Sequence, residues 1–247
     1  MNSEQHLQIR ADLHTHTVAS THAYSTVSEN AAAAAEAGVE LLAVTDHGIA
    51  APDAPHKWHF HNYKVLPRQM HGVWMLYGVE ANIMDEFGTL DMDEKELSFC
   101  EWVIASYHTG CVRFERTPAL VTQGYLGVCQ NPAVDVIGHP TTAMFPCDYE
   151  AVVKAIRDAG KLAELNESSL QWKPDALKNA YTFYALCKQY SVPVVLNTDA
   201  HYAALIGKTP LAEQLLKELE FPSELLYSLD ARRIMQLAEK KRGIRFR

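Results

Sequence analysis

Residues 9–16 read Ile-Arg-Ala-Asp-Leu-His-Thr-His. A short, largely apolar run opens the stretch, and two histidines one residue apart close it. An extended chain points alternate side chains the same way, so His14 and His16 project together from the end of a strand over residues 9–13. Asp12 has the same parity and is a candidate ligand or orienting partner. Six more short β-branched or apolar runs follow, at residues 41–45, 74–80, 102–106, 134–138, 162–166 and 193–197. Their ends fall roughly 26 to 35 residues apart, the length of a strand, a returning helix and two loops. Runs such as Val-Ile-Gly at 136–138 and Val-Val-Leu-Asn at 194–197 are continuously apolar, which suits parallel strands covered on both faces.

The segments between these runs carry helix signals. Residues 27–37 are Ala-rich and stop before Gly38, a C′ position. Thr117-Pro118 reads as the N-cap and N1 of a helix reaching about residue 130. Val152, Val153, Ile156 and Ala159 recur at helical spacing before Gly160. Thr209-Pro210 opens a helix with a stripe of Leu211, Leu215, Leu216 and Leu219, and a last helix carries Ile234, Leu237 and Ala238. Seven strands alternating with helices fit a doubly wound sheet or a TIM-like barrel.

The placement of ligand-type side chains decides between the two. The second run ends in Thr45-Asp46-His47 and the third in Gly78-Val79-Glu80. The fourth leads into His108, the fifth into His139, and the seventh into Asp199-Ala200-His201, while His22 follows the first by a short loop. A chance scatter of histidines would not favour six strand ends. Only a closed or nearly closed barrel gathers six strand ends round one mouth; a doubly wound sheet leaves its outer strands far from the switch point. The expected fold is α/β, a distorted (βα)7 TIM-like barrel forming one domain over residues 1–247.

The chain has 247 residues, 48% of them apolar, and includes 12 histidines. A net charge of −8 speaks against a large nucleic-acid footprint. No run reaches the ~18 apolar residues of a membrane span, and residues 1–10 lack the apolar core of a signal peptide. The five cysteines are odd in number and form no C-x-x-C pair, so free thiols and a cytoplasmic location are expected. Seven histidines with Glu80 and Asp199, and no cysteine, make a nitrogen and oxygen ligand set. That set suits zinc, manganese, iron or cobalt rather than a four-cysteine zinc or an all-oxygen calcium site. Nine candidates exceed the three or four protein ligands of one catalytic ion, so two or three ions are expected. Glu80, with two oxygens, is the natural bridge.

The motifs themselves carry a resemblance. D-L-H-T-H-T at 12–17, T-D-H-G at 45–48, G-V-E-A-N at 78–82, H-P at 139–140 and T-D-A-H at 198–201 resemble the polymerase-and-histidinol-phosphatase (PHP) superfamily. V-A-S-T-H-A-Y-S at 18–25 and A-P-H-K-W-H-F at 54–60 are similar to the small YcdX-type phosphoesterases, and the likeness runs over nearly the whole chain. The resemblance implies a (βα)7 barrel with three divalent ions, usually zinc, that hydrolyses phosphate esters. Carried over by position, it implies that His14, His16, Glu80 and Asp199 hold one ion. His22, His47 and His201 would hold a second, and Glu80, His108 and His139 a third. Thr-Gly-Cys after His108 and Thr-Thr-Ala after His139-Pro140 depart from the pattern and bear on substrate preference.

Other residues invite weaker readings. The stretch Pro55-His56-Lys57-Trp58-His59-Phe60-His61 reads as a lid beside the mouth, with His59 the candidate proton donor to a leaving group. Arg68 can meet a phosphate through two N–H groups or serve in a surface ion pair. His6 and His71 read as solvated or structural, and Cys111 and Cys147 as small apolar residues near ligand-bearing loops. Asn166, Ser168 and Ser169 end the sixth strand and are candidate pocket-lining donors. No G-x-S-x-G, P-loop or G-x-G-x-x-G occurs. The expected activity is a phosphomonoesterase in which a metal-bound hydroxide attacks phosphorus in a small phosphorylated substrate. No membrane partner is expected, nucleic acid is disfavoured, and the oligomeric state is not readable. The alternatives are a phosphodiesterase or nuclease, and a non-catalytic metal-binding module.

Overall fold

In the computed structural model, which describes residues 7–246, the apolar runs pair side by side into one sheet. Its strands are β1 Ala11–Asp12, β2 Leu41–Val44, β3 Gln69–Met70, β4 Val73–Asn82, β5 Trp102–Ser106, β6 Val136–Ile137, β7 Leu162–Asn166 and β8 Val194–Asn197. The order is β1-β2-β4-β5-β6-β7-β8, all parallel, and β3 pairs antiparallel with β4. The β3–β4 turn is His71-Gly72, both at positive φ (50° and 83°), a conformation that matches the twist of a two-residue hairpin. No Asn-Gly or Asp-Gly marks it, which is why the sequence pattern does not reveal β3.

The sheet closes where β8 meets β1. Asn197 Oδ1 accepts from the Leu13 N–H at 2.9 Å, and one parallel bridge joins Thr15 to Ala200. The result is the nearly closed seven-stranded barrel expected above. Strand edges shift by a few residues from the sequence expectation: β1 and β6 are two residues each and β4 is ten.

The helices are α1 Val27–Glu36, α2 Trp58–His61, α3 Glu94–Leu97, α4 Pro118–Cys129, α5 Tyr149–Asp158, α6 Glu167–Trp172, α7 Ala176–Gln189, α8 Pro210–Glu218 and α9 Ala231–Arg242. Local chemistry sets their ends. Thr26 and Glu29 form a reciprocal capping box on α1, and Gly38 takes the left-handed turn after it. Thr117 caps α4 with Pro118 at its first turn, and Gly160 turns the chain after α5. In α9, Ile234 and Ala238 are buried while Leu237 is exposed. Among the described residues no helix is long and apolar enough to cross a membrane. His6 lies outside the described residues.

Side chains inside the barrel change character from bottom to top. Leu41, Leu76, Trp102, Leu162 and Val195 form one buried cluster near the N-terminal ends of their strands, capped by Ala231, Ile234 and Ala238 of α9. Two, four or six residues further along the same strand faces stand His47, Glu80, Asn82, Glu164 and Asn197, and beyond β8 Asp199. The apolar floor therefore seats a polar upper layer at the C-terminal mouth.

Gly78 sits one step below Glu80 on that face. A Cβ there would lie 2.0 Å from the Trp102 carbonyl oxygen, so β4 and β5 can pair closely only with glycine. Gly78→Ala is expected to cost about 1–3 kcal/mol of stability through overpacking. Urea unfolding monitored by tryptophan fluorescence measures it, and an unchanged midpoint would contradict the close approach.

Candidate metal centre

Glu80 reaches the mouth from β4, fully buried, and its two oxygens face different groups of imidazoles. Its Oε2 lies 3.3 Å from His14 Nε2, 3.5 Å from His16 Nε2 and 2.9 Å from His47 Nδ1. Its Oε1 lies 2.8 Å from His139 Nε2 and 3.3 Å from His108 Nε2. Asp199 Oδ1 stands 3.5 Å from His14 Nε2 and 3.1 Å from His16 Nε2, and those two nitrogens are 3.1 Å apart. His22 completes the ring at the outer edge. Its imidazole lies 4.4 Å from that of His201 and 5.2 Å from that of His47, centroid to centroid. All nine sequence candidates are thus gathered around one mouth.

The donors fit a divalent ion on two counts. Ligand bonds of about 2.0–2.2 Å place tetrahedral donors roughly 3.3–3.6 Å apart, close to the 3.1–3.5 Å measured among His14, His16, Glu80 and Asp199. In addition, His201 Nε2 is buried with no hydrogen-bond partner among the described residues, and the close contacts of Glu80 Oε2 with His47 Nδ1 and of Asp199 Oδ1 with His16 Nε2 lack hydrogen-bond geometry. Buried polar atoms are nearly always satisfied, so such a convergence suits a cation. Donor atoms of His14, His16 and Glu80 lie within 4.8 Å of one another, as do those of His47, Glu80 and His108 and those of His16, His47 and His201.

Electrostatics agrees with that donor set. Burial disfavours the Glu80 carboxylate, but the imidazoles of His108 and His14 outweigh it and hold its pKa well below the usual value. Asp199 is treated alike: burial opposes its charge and His14 and His16 prevail. Burial and the neighbouring His47 push His16 down to about 3, leaving a neutral ring with a free lone pair. Burial would also lower His14, but Glu164, Asp199 and Glu80 carry it well above its ordinary value.

Behind the ring stands a layer of orienting groups. Glu164, wholly buried on β7, lies 2.6 Å from His14 Nδ1, accepts from the His139 N–H at 2.9 Å, and accepts from Asn197 Nδ2 at 2.8 Å. Asn82 Oδ1 is 2.7 Å from His108 Nδ1, and Asp53 Oδ2 is 2.5 Å from His22 Nδ1. These contacts fix which ring nitrogen faces the mouth. None of the three was singled out from the sequence; the inward parity of Glu164 and Asn82 was the available signal. Asp12, expected as ligand or orienter, serves the seam instead. Its carboxylate accepts from the Thr198 N–H and hydroxyl and from the Gly207 N–H, pinning the loop that carries Asp199 and His201. Two of the ring members hold strained backbone: Asp199 has φ 53° and His139 φ 25°. Such positions cost of order 1–3 kcal/mol and persist where surrounding contacts impose them.

The PHP domain family matches residues 12–171. The chain belongs to the PHP family. It is 40% identical to a probable phosphatase of Clostridium novyi over 234 residues, covering 93% of this chain and 94% of that one. A probable phosphatase of Photobacterium profundum is 39% identical and covers 95% and 96%. In fold the chain is similar to the histidinol phosphate phosphatase of Lactococcus lactis, solved with zinc, L-histidinol and phosphate. That match has TM-score 0.59 and 16% identity, with 86% and 94% covered. A chain of archaeal ribonuclease P, solved with mature tRNA, matches at TM-score 0.53 and 16% identity over 95% and 90%.

Three sequence expectations need correction within this PHP chain. Arg68 is not at the mouth. Its guanidinium donates to both carboxylate oxygens of Glu101, which precedes β5, and to the Met75 carbonyl near the start of β4, so it sits at the opposite end of the barrel. Arg68 therefore makes an ion pair, the alternative expected above, but a half-buried one. His59 also turns away from the cavity: its Nε2 is 3.2 Å from Asp46 Oδ2 and 3.3 Å from the Tyr63 hydroxyl. Asp46 in turn accepts from Thr17 and Ser20, so His59 anchors the loop after β1. None of residues 55–61 is among the described residues that line the cavity; the nearest that do are Ala51, Pro52 and Asp53, just before the stretch. Cys111 lines the cavity, but burial pushes its thiol up to about 11, unlike a thiolate ligand. Of the sixth-strand polar residues only Ser168 lines the cavity; Asn166 caps α6 and donates to Asp199.

Glu164→Ala would leave the His14 ring, the His139 N–H and two asparagine amides buried without their acceptor. Breaking one partner out of a buried charged network costs about 3–5 kcal/mol, and a loss of that size is expected. Urea unfolding of chelator-treated protein measures it independently of any bound ion; a loss below ~1 kcal/mol would show that Glu164 is dispensable.

Proposed function

We propose that this protein is a metal-dependent phosphatase acting on phosphate monoesters, its mouth holding up to three divalent cations. The observation that carries the reading is the single buried carboxylate of Glu80, offering one oxygen to each of two imidazole groups. His14, His16, Glu80 and Asp199 would hold one ion, His22, His47 and His201 a second, and Glu80, His108 and His139 a third. Zinc is the first choice for this nitrogen-rich set, with manganese, iron and cobalt sharing its ligand chemistry. Divalent ions bound there supply Lewis acidity, making water a nucleophile at neutral pH and offsetting charge on phosphoryl oxygens. The chain contributes position: Glu164, Asn82 and Asp53 fix the rings, and the strained turns at His139 and Asp199 aim their side chains at one point.

The cavity favours a terminal phosphate over a polymer. It holds about 440 Å³ and takes Lys173 as the one lysine or arginine among its described lining residues. Proteins that bind single strands combine a track of cations with stacked aromatics, and this −8 chain brings a single lysine, Lys173, to the described lining of its mouth. The names of the relatives from Clostridium and Photobacterium support phosphatase activity, and the zinc and phosphate of the Lactococcus protein support the metal and substrate class.

Turnover of p-nitrophenyl phosphate that is abolished by chelator and restored by zinc is the expected result. A faster rate on the bis-ester or on single-stranded DNA would overturn the monoester reading. Glu80→Gln keeps the volume but removes the charge shared by two ions. Elemental analysis should find two of three ions lost, the one at His22, His47 and His201 kept, and activity below 1% of wild type, a loss beyond the ~10–100-fold typical of orienting residues.

His59→Ala separates an anchor from a proton donor. Because His59 faces Asp46, it should slow an alkyl phosphate and p-nitrophenyl phosphate by the same factor. A general acid contributes about 10²–10⁴-fold, felt chiefly by the poorer leaving group. Selective slowing of the alkyl ester would restore His59 to the acid role.

A further inference from the structure

The histidines and carboxylates account for one part of the cavity lining. Another part comes from the end of α6 and the loop after β8, and it has a different chemistry. Trp172, the last residue of α6, leaves 74% of its surface exposed, and Leu205 leaves 51%. Both line the cavity, as does Lys173. An exposed tryptophan and an exposed leucine lining one concave site are unfinished apolar surface, which burial against a ligand would complete. Lys173 is half-buried as a residue, and its side chain makes no ion pair with a carboxylate and no hydrogen bond among the described residues. The acids that line the same cavity are committed to imidazoles: Asp53 to His22, and Glu80 and Asp199 to the ring above. A cation held partly out of water without a partner gains when an anion arrives.

The backbone of Lys173 stands a helix length away from the polar cluster. Asn166, at the start of α6, donates to Asp199 at 3.2 Å, so α6 begins at the polar cluster. Seven residues further on, at a rise of ~1.5 Å each, Lys173 is displaced about 10 Å along the helix axis. That is beyond the span of a phosphate but within the length of a small alcohol esterified to it.

We propose that the alcohol part of the substrate is a flat ring bearing an anionic group, the ring lying against Trp172 and Leu205 and the anion meeting Lys173. The inference rests on the phosphatase reading and deepens it. Ring stacking on an indole and a charge-assisted contact to an ammonium are the recognition elements. An alcohol bearing an ammonium is disfavoured, because it would bring like charge to Lys173. The preferred esters are therefore acidic aryl phosphates rather than phosphates of amino alcohols.

The test uses the zinc-loaded full chain with phenyl phosphate, 4-carboxyphenyl phosphate and 4-(aminomethyl)phenyl phosphate. The matching phosphonates, which cannot be hydrolysed, report binding by calorimetry. Comparing one ratio between two proteins cancels the electronic difference between leaving groups. In Lys173→Met the carboxyl-to-aminomethyl ratio of kcat/KM should fall about tenfold, the phosphonate affinity ratio should fall with it, and Lys173→Arg should keep both. Trp172→Ala should weaken the aryl phosphonates relative to methylphosphonate. Turnover of all three esters with the same ratio in wild type and Lys173→Met would overturn the inference and leave the phosphatase reading standing. An equal loss on all three esters would also overturn it, placing Lys173 on the phosphate itself. No chelator-sensitive turnover of any ester would overturn both.

Discussion

One buried carboxylate governs the upper half of this barrel. Glu80 is 1% exposed, inside a ring to which five histidines bring a nitrogen within 3.5 Å of its oxygens. A carboxylate taken out of water is costly unless cations or hydrogen bonds surround it. The surrounding imidazoles are themselves buried and cannot all be protonated together: His14 is raised while His16 and His108 are lowered. Such a cluster suits positive charge that does not come from protons. The ring of this PHP chain could hold metal ions, and the contacts that would hold them are also contacts of the fold.

The rest of the mouth exists to keep those groups aimed. Glu164 holds a histidine from the β1 end and the backbone of a histidine from the β6 end, tying opposite sides of the barrel through one side chain. Asp12 and Asp46 do the same for loops, each accepting three or more hydrogen bonds from other elements. The strain at Asp199 and His139 is sustained because these contacts leave the chain no alternative. Precision at the site therefore comes from buried acids behind the ring as well as from the ring itself.

The apolar floor and the polar mouth are two halves of one alternating pattern. Same-face residues run from Leu76 through Gly78 to Glu80 and Asn82 on β4, and from Leu162 to Glu164 and Asn166 on β7. The lower positions pack against α9 and exclude water. That dry floor strengthens every charge interaction above it. The small residue between floor and site, Gly78, lets neighbouring strands approach closely enough for the ring to be continuous.

The sequence by itself determined the strand–helix rhythm, the closed barrel and the nine residues at its mouth. These follow from local periodicity and from ligand-type residues recurring at strand ends, features that each lie within a few consecutive residues. Turn and cap signals at Gly38, Thr117-Pro118 and Gly160 were legible for the same reason. Only the tertiary structure decided what stands behind the ring. Glu164 meets His14 across 150 positions, and Arg68 meets Glu101 across 33. In the run Leu-Ala-Glu-Leu-Asn, alternation puts Glu164 on one face with Leu162 and Asn166, but which groups that face meets is set only when the sheet closes. His59 illustrates the converse: its neighbours suggested the mouth, and the packing of Phe60 into the core turned its ring toward Asp46 instead. Side-chain direction is a property of the packed whole, whereas residue type and spacing are properties of the chain.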